Sequence, residues 1–467
     1  MATNLLTTFI SLLLLLLLLH LSTTTSSAVN HRKNIEYLKL PLLHKDTFPP
    51  SPSQSLSSDL NRLNALYSSL HNRHRSSIMV LSRSAKLPLT SGASTGSGQY
   101  FVDLRIGTPP QRLLLVADTG SDLVWVTCSA CRNCSSRPRN SAFLARHSRT
   151  FLPYHCYDKK CQLVPKPSGG ACNRTRLHSP CRYEYSYSDG SETKGFFATE
   201  TTTLNASSGG AVKFKKFAFG CSFESSGPSI TGPSFNGAQG VMGLGRGSIS
   251  LASQLGRRFG NRFSYCLMDY TLSPTPTSYL LIGRSKPVND SKEMSYTPMI
   301  SNPFISTFYY IGIESVYIDD VKLRISPSVW AIDESGNGGT VMDSGTTLTF
   351  LAEPAYGRIV AAFKRLVKLP EADEPTVGFD LCVNVSGKAR PSFPKMSFRL
   401  SGNSVLAPAS GNYFIDTAED VKCLALQPLT APSGFSVIGN LMQQGFMFEF
   451  DRDRSRIGFT RHGCGQP

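Results

Sequence analysis

The chain has 467 residues, of which 40% are hydrophobic, 10% aromatic and 17% charged. That length allows two or three domains, and the apolar content excludes a charge-driven disordered chain. The 48 Lys and Arg against 32 Asp and Glu leave a net charge of +16, spread without the dense basic block that a nucleic-acid-binding stretch would show.

Leu5 to Leu21 is apolar and contains an unbroken leucine run from Leu12 to Leu19, with small and hydroxyl residues from Ser22 to Ala28. The run is short for a membrane span and reads as a signal peptide over 1–28, leaving no stable membrane insertion after its removal. Secretion to the outside or the cell wall is the expected destination, with a vacuole or a plastid open. On that oxidising route the 12 cysteines read as six disulfides.

Residues 29–95 differ in character from the rest of the chain. His44 to Ser55 is Pro/Ser-rich coil, and Leu56, Leu60, Leu63, Tyr67 and Leu70 then recur at helical spacing. Nine basic and three acidic residues from Arg32 to Lys86 give a local excess of +6. The segment reads either as a propeptide with one amphipathic helix or as an extension without fixed structure. Ser91 to Gly98 is a linker that a protease could reach.

From Gln99 onward the pattern is β. Tyr100 to Ile106 alternates with period two and ends in a Gly-Thr-Pro-Pro turn, and Leu113 to Ala117 runs directly into Asp118. Helical expectations are few: Ser248 to Leu255, and Glu353-Pro354 onward to about Leu369. Asp118-Thr-Gly-Ser-Asp122 resembles Asp343-Ser-Gly-Thr-Thr347, and Val241-Met-Gly243 resembles Val437-Ile-Gly439. Two similar β lobes would give this order.

Both aspartates follow apolar strands and precede glycine turns, where backbone N–H groups can aim at a carboxylate. Two carboxylates brought together cannot both ionise cheaply and share a proton. The ionised member then deprotonates a water while the protonated one donates to a peptide carbonyl oxygen. Neither a metal nor another cofactor is required.

These paired motifs resemble the pepsin-type aspartic proteases, in particular their plant nepenthesin-like branch, from about Gln99 to Gly465. The resemblance implies an all-β, bilobal pepsin-like fold around a central cleft, with an N-terminal lobe over 96–290 and a C-terminal lobe over 291–467. It implies Asp118 and Asp343 as the catalytic pair, with Gly120 and Gly345 in their turns. Ser121 and Thr346 become hydroxyls bonded to the outer carboxylate oxygens, and Thr119 and Ser344 a cross-lobe grip beneath. Tyr183, Tyr185 and Tyr187 alternate before the hairpin signal Asp189-Gly190, with Ser191, Phe196 and Phe197 beyond it. Tyr187 resembles the flap tyrosine and Trp125 the tryptophan that hydrogen-bonds to it; Ser188 stands where the family usually carries glycine.

Cys128-x2-Cys131-x2-Cys134 has a spacing that also suits zinc, a reading the secretory signal disfavours. Spacing alone leaves connectivity open. The resemblance implies Cys131–Cys134, Cys128–Cys221, a nested Cys156–Cys181 and Cys161–Cys172, Cys266–Cys464 and Cys382–Cys423. Asn133, Asn173, Asn205, Asn289 and Asn384 lie in glycosylation sequons.

The function expected is a secreted aspartic endopeptidase, a monomer acting on proteins or peptides at acidic pH and made as a zymogen. The alternative is a catalytically silent relative that binds or inhibits a secreted glycosidase.

Overall fold

The computed structural model describes residues 37–43, 56, 59–60, 100–129, 142–165, 172, 178–186, 191–205, 210–227, 230, 238–256, 258–269, 278–283, 294–429, 434–461 and 464. The architecture is all-β, with a large mixed sheet of 19 strands and two smaller sheets of four and three strands. Each half of the chain contributes one copy of the same small arrangement.

In the N-terminal half, Gln111–Asp118 lies parallel to Gly240–Gly243, with Asp118 opposite Gly243. Val124–Thr127 covers the other side of Gly240–Gly243 in antiparallel register. In the C-terminal half, Thr340–Met342 lies parallel to Ser436–Ile438, and Thr349–Leu351 pairs with the latter antiparallel at Phe350 and Val437. The internal repeat of the sequence is therefore a repeat of pairing geometry. Both apolar-apolar-Gly strands are fully buried, which explains their continuous rather than alternating hydrophobicity.

Glycine is required where these strands cross the turns. A Cβ on Gly439 would lie 2.0 Å from the Leu348 carbonyl oxygen, and one on Gly243 would lie 2.4 Å from the Asp122 carbonyl carbon. No side chain fits between such backbones.

An antiparallel layer joins the halves. Arg262–Cys266 pairs with Met447–Asp451 at its centre; Ser278–Gly283 extends it on one side and Arg456–Thr460, then Ser295–Ile300, on the other. At the end of this register Arg262 meets Asp451 at 2.8 Å, and Arg454 and Arg456 also reach that fully buried carboxylate. Aromatic side chains fill the layer, with Phe263 stacked on Phe450 at 4.6 Å. Cys266–Cys464 closes a separation of 198 residues beside it.

One edge of this layer is unexpected. Tyr37–Leu43 forms a strand paired with Ser278–Gly283, and Leu42 and Leu43 reach Val102 and Phe101. Leu38, Leu40 and Leu42 are buried, at about 1.5–3 kcal/mol each. Their period-two spacing was the sequence signal, partly hidden by Pro41. In the expected amphipathic helix, Leu56, Asp59 and Leu60 are helical; Leu63, Tyr67 and Leu70 lie outside the described residues.

The other helices are close to expectation: Leu251–Gly256, and Ala355–Leu366 preceded by Pro354. Tyr356, Ile359, Val360 and Phe363 form the buried face of the latter. No helix among the described residues is long and apolar enough to cross a membrane.

Candidate active site

Asp118 ends a strand whose last four residues are all buried, and the Thr119-Gly120 turn comes next. The Gly120 N–H donates to Asp118 Oδ1 at 3.0 Å, and the Leu244 N–H donates to the Asp118 carbonyl at 2.8 Å. Asp343 is held alike. The Gly345 N–H donates to its Oδ1 at 2.9 Å, and the Asp343 N–H donates to the Ile438 carbonyl at 3.2 Å. Both side chains are buried, Asp118 at 0% and Asp343 at 2% exposure. Each carboxylate is thus oriented by its own glycine turn.

The turns interlock across 225 residues of sequence. The Ser344 N–H donates to Thr119 Oγ1 at 2.9 Å, and the Thr119 N–H donates to Ser344 Oγ at 3.3 Å. Thr119 Oγ1 also donates to Asp343 Oδ1 at 3.4 Å, and Ser344 Oγ to the Ala117 carbonyl at 3.3 Å. Each lobe's hydroxyl therefore reaches the other lobe's strand end, which ties the two carboxylate turns to each other.

The two loops differ in their last hydroxyl. Thr346 Oγ1 donates to Asp343 Oδ2 at 2.7 Å. Ser121 Oγ, expected to do the same for Asp118, is buried and makes no hydrogen bond among the described residues. Ser121 is positioned by its backbone instead: its carbonyl accepts the Gly245 N–H at 2.8 Å. The next residue carries the side-chain contacts. Asp122 accepts from the Gly247 N–H at 2.7 Å and from Thr307 Oγ1 of the other half at 2.8 Å. Burial holds the Asp122 carboxyl above its ordinary value, against the opposing pull of the Thr307 hydroxyl, the Gly247 N–H and Arg452.

Gln443 and Tyr265 were not legible as site residues. Gln443 Nε2 donates to the carbonyls of Ile438 at 2.8 Å and Asp343 at 3.3 Å, while its Oε1 accepts from the Tyr265 hydroxyl. Burial pushes the Tyr265 hydroxyl well above its usual value, with the Asp343 charge next. Asn440 supports the same loop, its Nδ2 donating to the Ser344 carbonyl at 3.1 Å.

Trp125 is fully buried and pairs through its backbone with Gly220 and Val241. Arg182–Ser186 and Glu192–Asn205 pair antiparallel with Ser186 opposite Glu192, so the return strand begins before the expected Phe196 and Phe197. Tyr187 and Asp189, like Ser188 and Gly190, lie outside the described residues. Ser191 is buried against Gly227, whose Cβ would come within 2.3 Å of its Cα. Tyr185 points toward the first carboxylate loop. Burial raises its hydroxyl well above the usual value, and Asp122 and then Asp118 add to the shift.

Asp59 is a further residue the sequence did not flag. Its carboxylate accepts the N–H groups of Thr347 and of Leu348, at 3.1 and 2.6 Å respectively. Those amides directly follow the Asp343 turn. One helical turn earlier, Leu56 packs against Gly378, and Leu60 packs on the same apolar cluster. Among the described residues of the 29–95 segment, an acidic group contacts the site. Arg83 and Lys86, the basic residues nearest the linker, lie outside the described residues.

The disulfides include a correction. Cys156 pairs with Cys172 and Cys161 with Cys181, an interleaved pattern in place of the nested one expected. Cys161 sits in the short Lys159–Leu163 helical turn facing the core, where Cys181 is also buried. Cys156 is left outside that core to meet Cys172. Cys128–Cys221, Cys266–Cys464 and Cys382–Cys423 are formed. Cys131 and Cys134 lie outside the described residues, as do the sequons at Asn133, Asn173 and Asn289. Asn205 is exposed at a strand end, and Asn384 accepts the Ser386 N–H at 2.8 Å. Among the described residues no cluster of His, Cys, Asp or Glu could hold a metal ion.

Residues 100–284 match the family described as Xylanase inhibitor N-terminal, and 308–461 that described as Xylanase inhibitor C-terminal. The chain is 36% identical to Aspartyl protease family protein 2 of Arabidopsis thaliana, over 80% of this chain and 73% of that protein. It is 33% identical to aspartic proteinase nepenthesin-1 of Nepenthes gracilis, over 79% of each. Among solved structures, edgp superposes with a TM-score of 0.64 at 21% identity, covering 91% of this chain and 95% of that one. Basic 7S globulin from soybean superposes with a TM-score of 0.62 at 18% identity, over 92% and 96%. Paired Asp-Thr/Ser-Gly turns, their crossing glycine strands and these relatives agree: the chain belongs to the pepsin-like aspartic protease family.

Proposed function

We propose that the protein is a secreted aspartic endopeptidase, working in acid and made as a zymogen. The observation that carries this reading is the matched support of two buried aspartates, each by its own glycine N–H, with the Thr119–Ser344 exchange between them. One proton is shared by the pair. The ionised aspartate removes a proton from a water held between the carboxyl groups, and the water oxygen attacks the peptide carbon. The other aspartate gives its proton to the carbonyl oxygen. Collapse of the tetrahedral intermediate breaks the C–N bond: the leaving amine takes the proton the first aspartate had gained, and the hydroxyl that becomes the new carbonyl returns its proton to the second aspartate.

Residues 1–28 serve as the signal peptide and 29–95 as the propeptide in this reading. The Asp59 contact with the Thr347 and Leu348 amides supports it, because it occupies backbone donors beside the second aspartate. Protonation of Asp59 in acid removes a charged acceptor and weakens that hold.

The matching family description favours a second reading, an inhibitor or binding protein without turnover. Loss of an aspartate or of its turn would mark that state, and this chain keeps both Asp118-Thr-Gly120 and Asp343-Ser-Gly345. Incubation of the acid-treated protein with a broad peptide library, with and without the transition-state mimic pepstatin, tests the choice. Pepstatin-sensitive cleavage supports the protease; intact peptides at every pH support the binding protein.

A further inference from the structure

We infer that a basic groove on the N-terminal half binds a carboxylate-bearing acidic polysaccharide, independently of any peptidase activity. The groove has a volume of about 720 Å³, and no Asp or Glu lines it. Lys213, Lys215 and Lys216 of the Ala211–Ser226 strand form one wall. Lys160, from the cysteine-rich segment, and Arg246, Arg258 and Arg452 complete the lining. None of these seven side chains makes an ion pair among the described residues. Asp122 is the carboxylate that attracts Arg452, and it sits in the neighbouring interlobe contact.

The backbone adds a second observation. The strand pairing shifts register between Glu200 and Thr202, so Lys215 and Lys216 together oppose Thr201. Such a bulge re-aims side chains, and both lysines are exposed at it. Lys216 has φ 59°, a left-handed conformation that ordinarily favours glycine. A long cation is kept at a strained position, which raises the prior for a functional role. Arg258 is fixed in place over the Phe214 ring at 5.2 Å.

Seven cations lining a concave surface that holds no Asp or Glu, with Arg452 partly offset by Asp122, create a positive field that concentrates anions. Their spread over several chain segments, from Lys160 to Arg452, suits an extended polymer better than a single anion, which needs convergent donors. Single-stranded nucleic acid would need an open aromatic platform for its bases. Here Phe214 is covered by Arg258 and packs on Phe259, and Phe217 is buried. A bilayer cannot follow a concave groove. Ser248 and Asn261 lie among the cations and suit sugar hydroxyls.

The test is calorimetric titration of the intact protein with sodium polygalacturonate at low salt. Fully methyl-esterified polymer, single-stranded DNA and anionic phospholipid vesicles form the comparison arms. Binding to polygalacturonate is expected, abolished in about 1 M salt, where the screening length is about 3 Å. The Lys213→Ala/Lys215→Ala/Lys216→Ala variant should bind about tenfold more weakly with an unchanged Tm. Arg258→Gln, outside the lysine strand, should weaken binding in the same direction. Equal affinity for the esterified polymer, tighter binding of DNA or vesicles, or unaltered affinity in both variants would overturn the assignment.

Discussion

The Ser344 N–H donates to Thr119 Oγ1 at 2.9 Å, joining two turns that lie 225 residues apart. Because Thr119 Oγ1 also reaches Asp343 Oδ1, the orientation of one lobe's carboxylate depends on the other lobe's threonine. Both residues are buried, so water cannot replace a lost partner.

Thr119→Ala leaves the Ser344 N–H without its acceptor. The expected cost is about 1–3 kcal/mol of stability, with a fall in kcat exceeding any change in KM. Thermal unfolding together with steady-state peptide kinetics checks both. Thr119→Ser restores the hydroxyl and should recover most of each.

Gly439→Ala should be far more damaging than an ordinary glycine replacement. Its Cβ would lie 2.0 Å from the Leu348 carbonyl oxygen and 2.6 Å from that of Thr347. The strand that supports the Asp343 turn must move, and a loss of more than about 3 kcal/mol is expected. The yield of soluble protein and its denaturant midpoint are the readouts. Gly411→Ala, where a Cβ would meet nothing within 4 Å, is the control and should be near neutral.

Asp122 gives a pH signature. Its carboxyl is raised, chiefly by burial, so between its ordinary and its raised value the folded chain binds more protons than the unfolded one. Stability from this group is complete below the ordinary value and is lost as pH rises through the raised one. Asp122→Asn should therefore match the parent in acid and exceed it in Tm near neutral pH. Melting curves across that range decide the sign; a variant less stable near neutrality than in acid, relative to the parent, would contradict it.

Asp59→Ala removes the acceptor from two backbone amides beside the Asp343 turn. Charge-assisted bonds of this kind contribute about 1.5–3 kcal/mol. The precursor should convert sooner after acidification and hydrolyse peptide before its N-terminal segment is cut. Parallel mass spectrometry and peptide hydrolysis on the intact chain measure this; a time course identical to the parent's would remove Asp59 from the inhibitory contact.

The two aspartates were readable because each lies within a contiguous motif that carries its own turn and its own glycine donor. The crossing glycines were readable for the same reason. Asp59 was not, since its partners Thr347 and Leu348 are 288 and 289 residues away and no local pattern marks a carboxylate for distant amides. Gln443 likewise acts through a short helix whose spacing shows nothing of Asp343. Symmetry misled at Ser121: equivalent hydroxyls suggested equivalent bonds, but among the described residues Thr346 makes its bond and Ser121 does not. The interleaved cysteines depended on which of Cys156 and Cys161 faces the core, a packing property that spacing does not encode.

The most direct measurement of the central claim is acid peptide hydrolysis by the processed protein beside Asp118→Asn and Asp343→Asn. Each substitution preserves shape and removes one proton-transfer group, a contribution of about 10²–10⁴-fold. The account predicts that both variants fold with a Tm close to the parent's and lose turnover by at least that factor. Turnover within a few-fold of the parent in a folded Asp343→Asn preparation would contradict it.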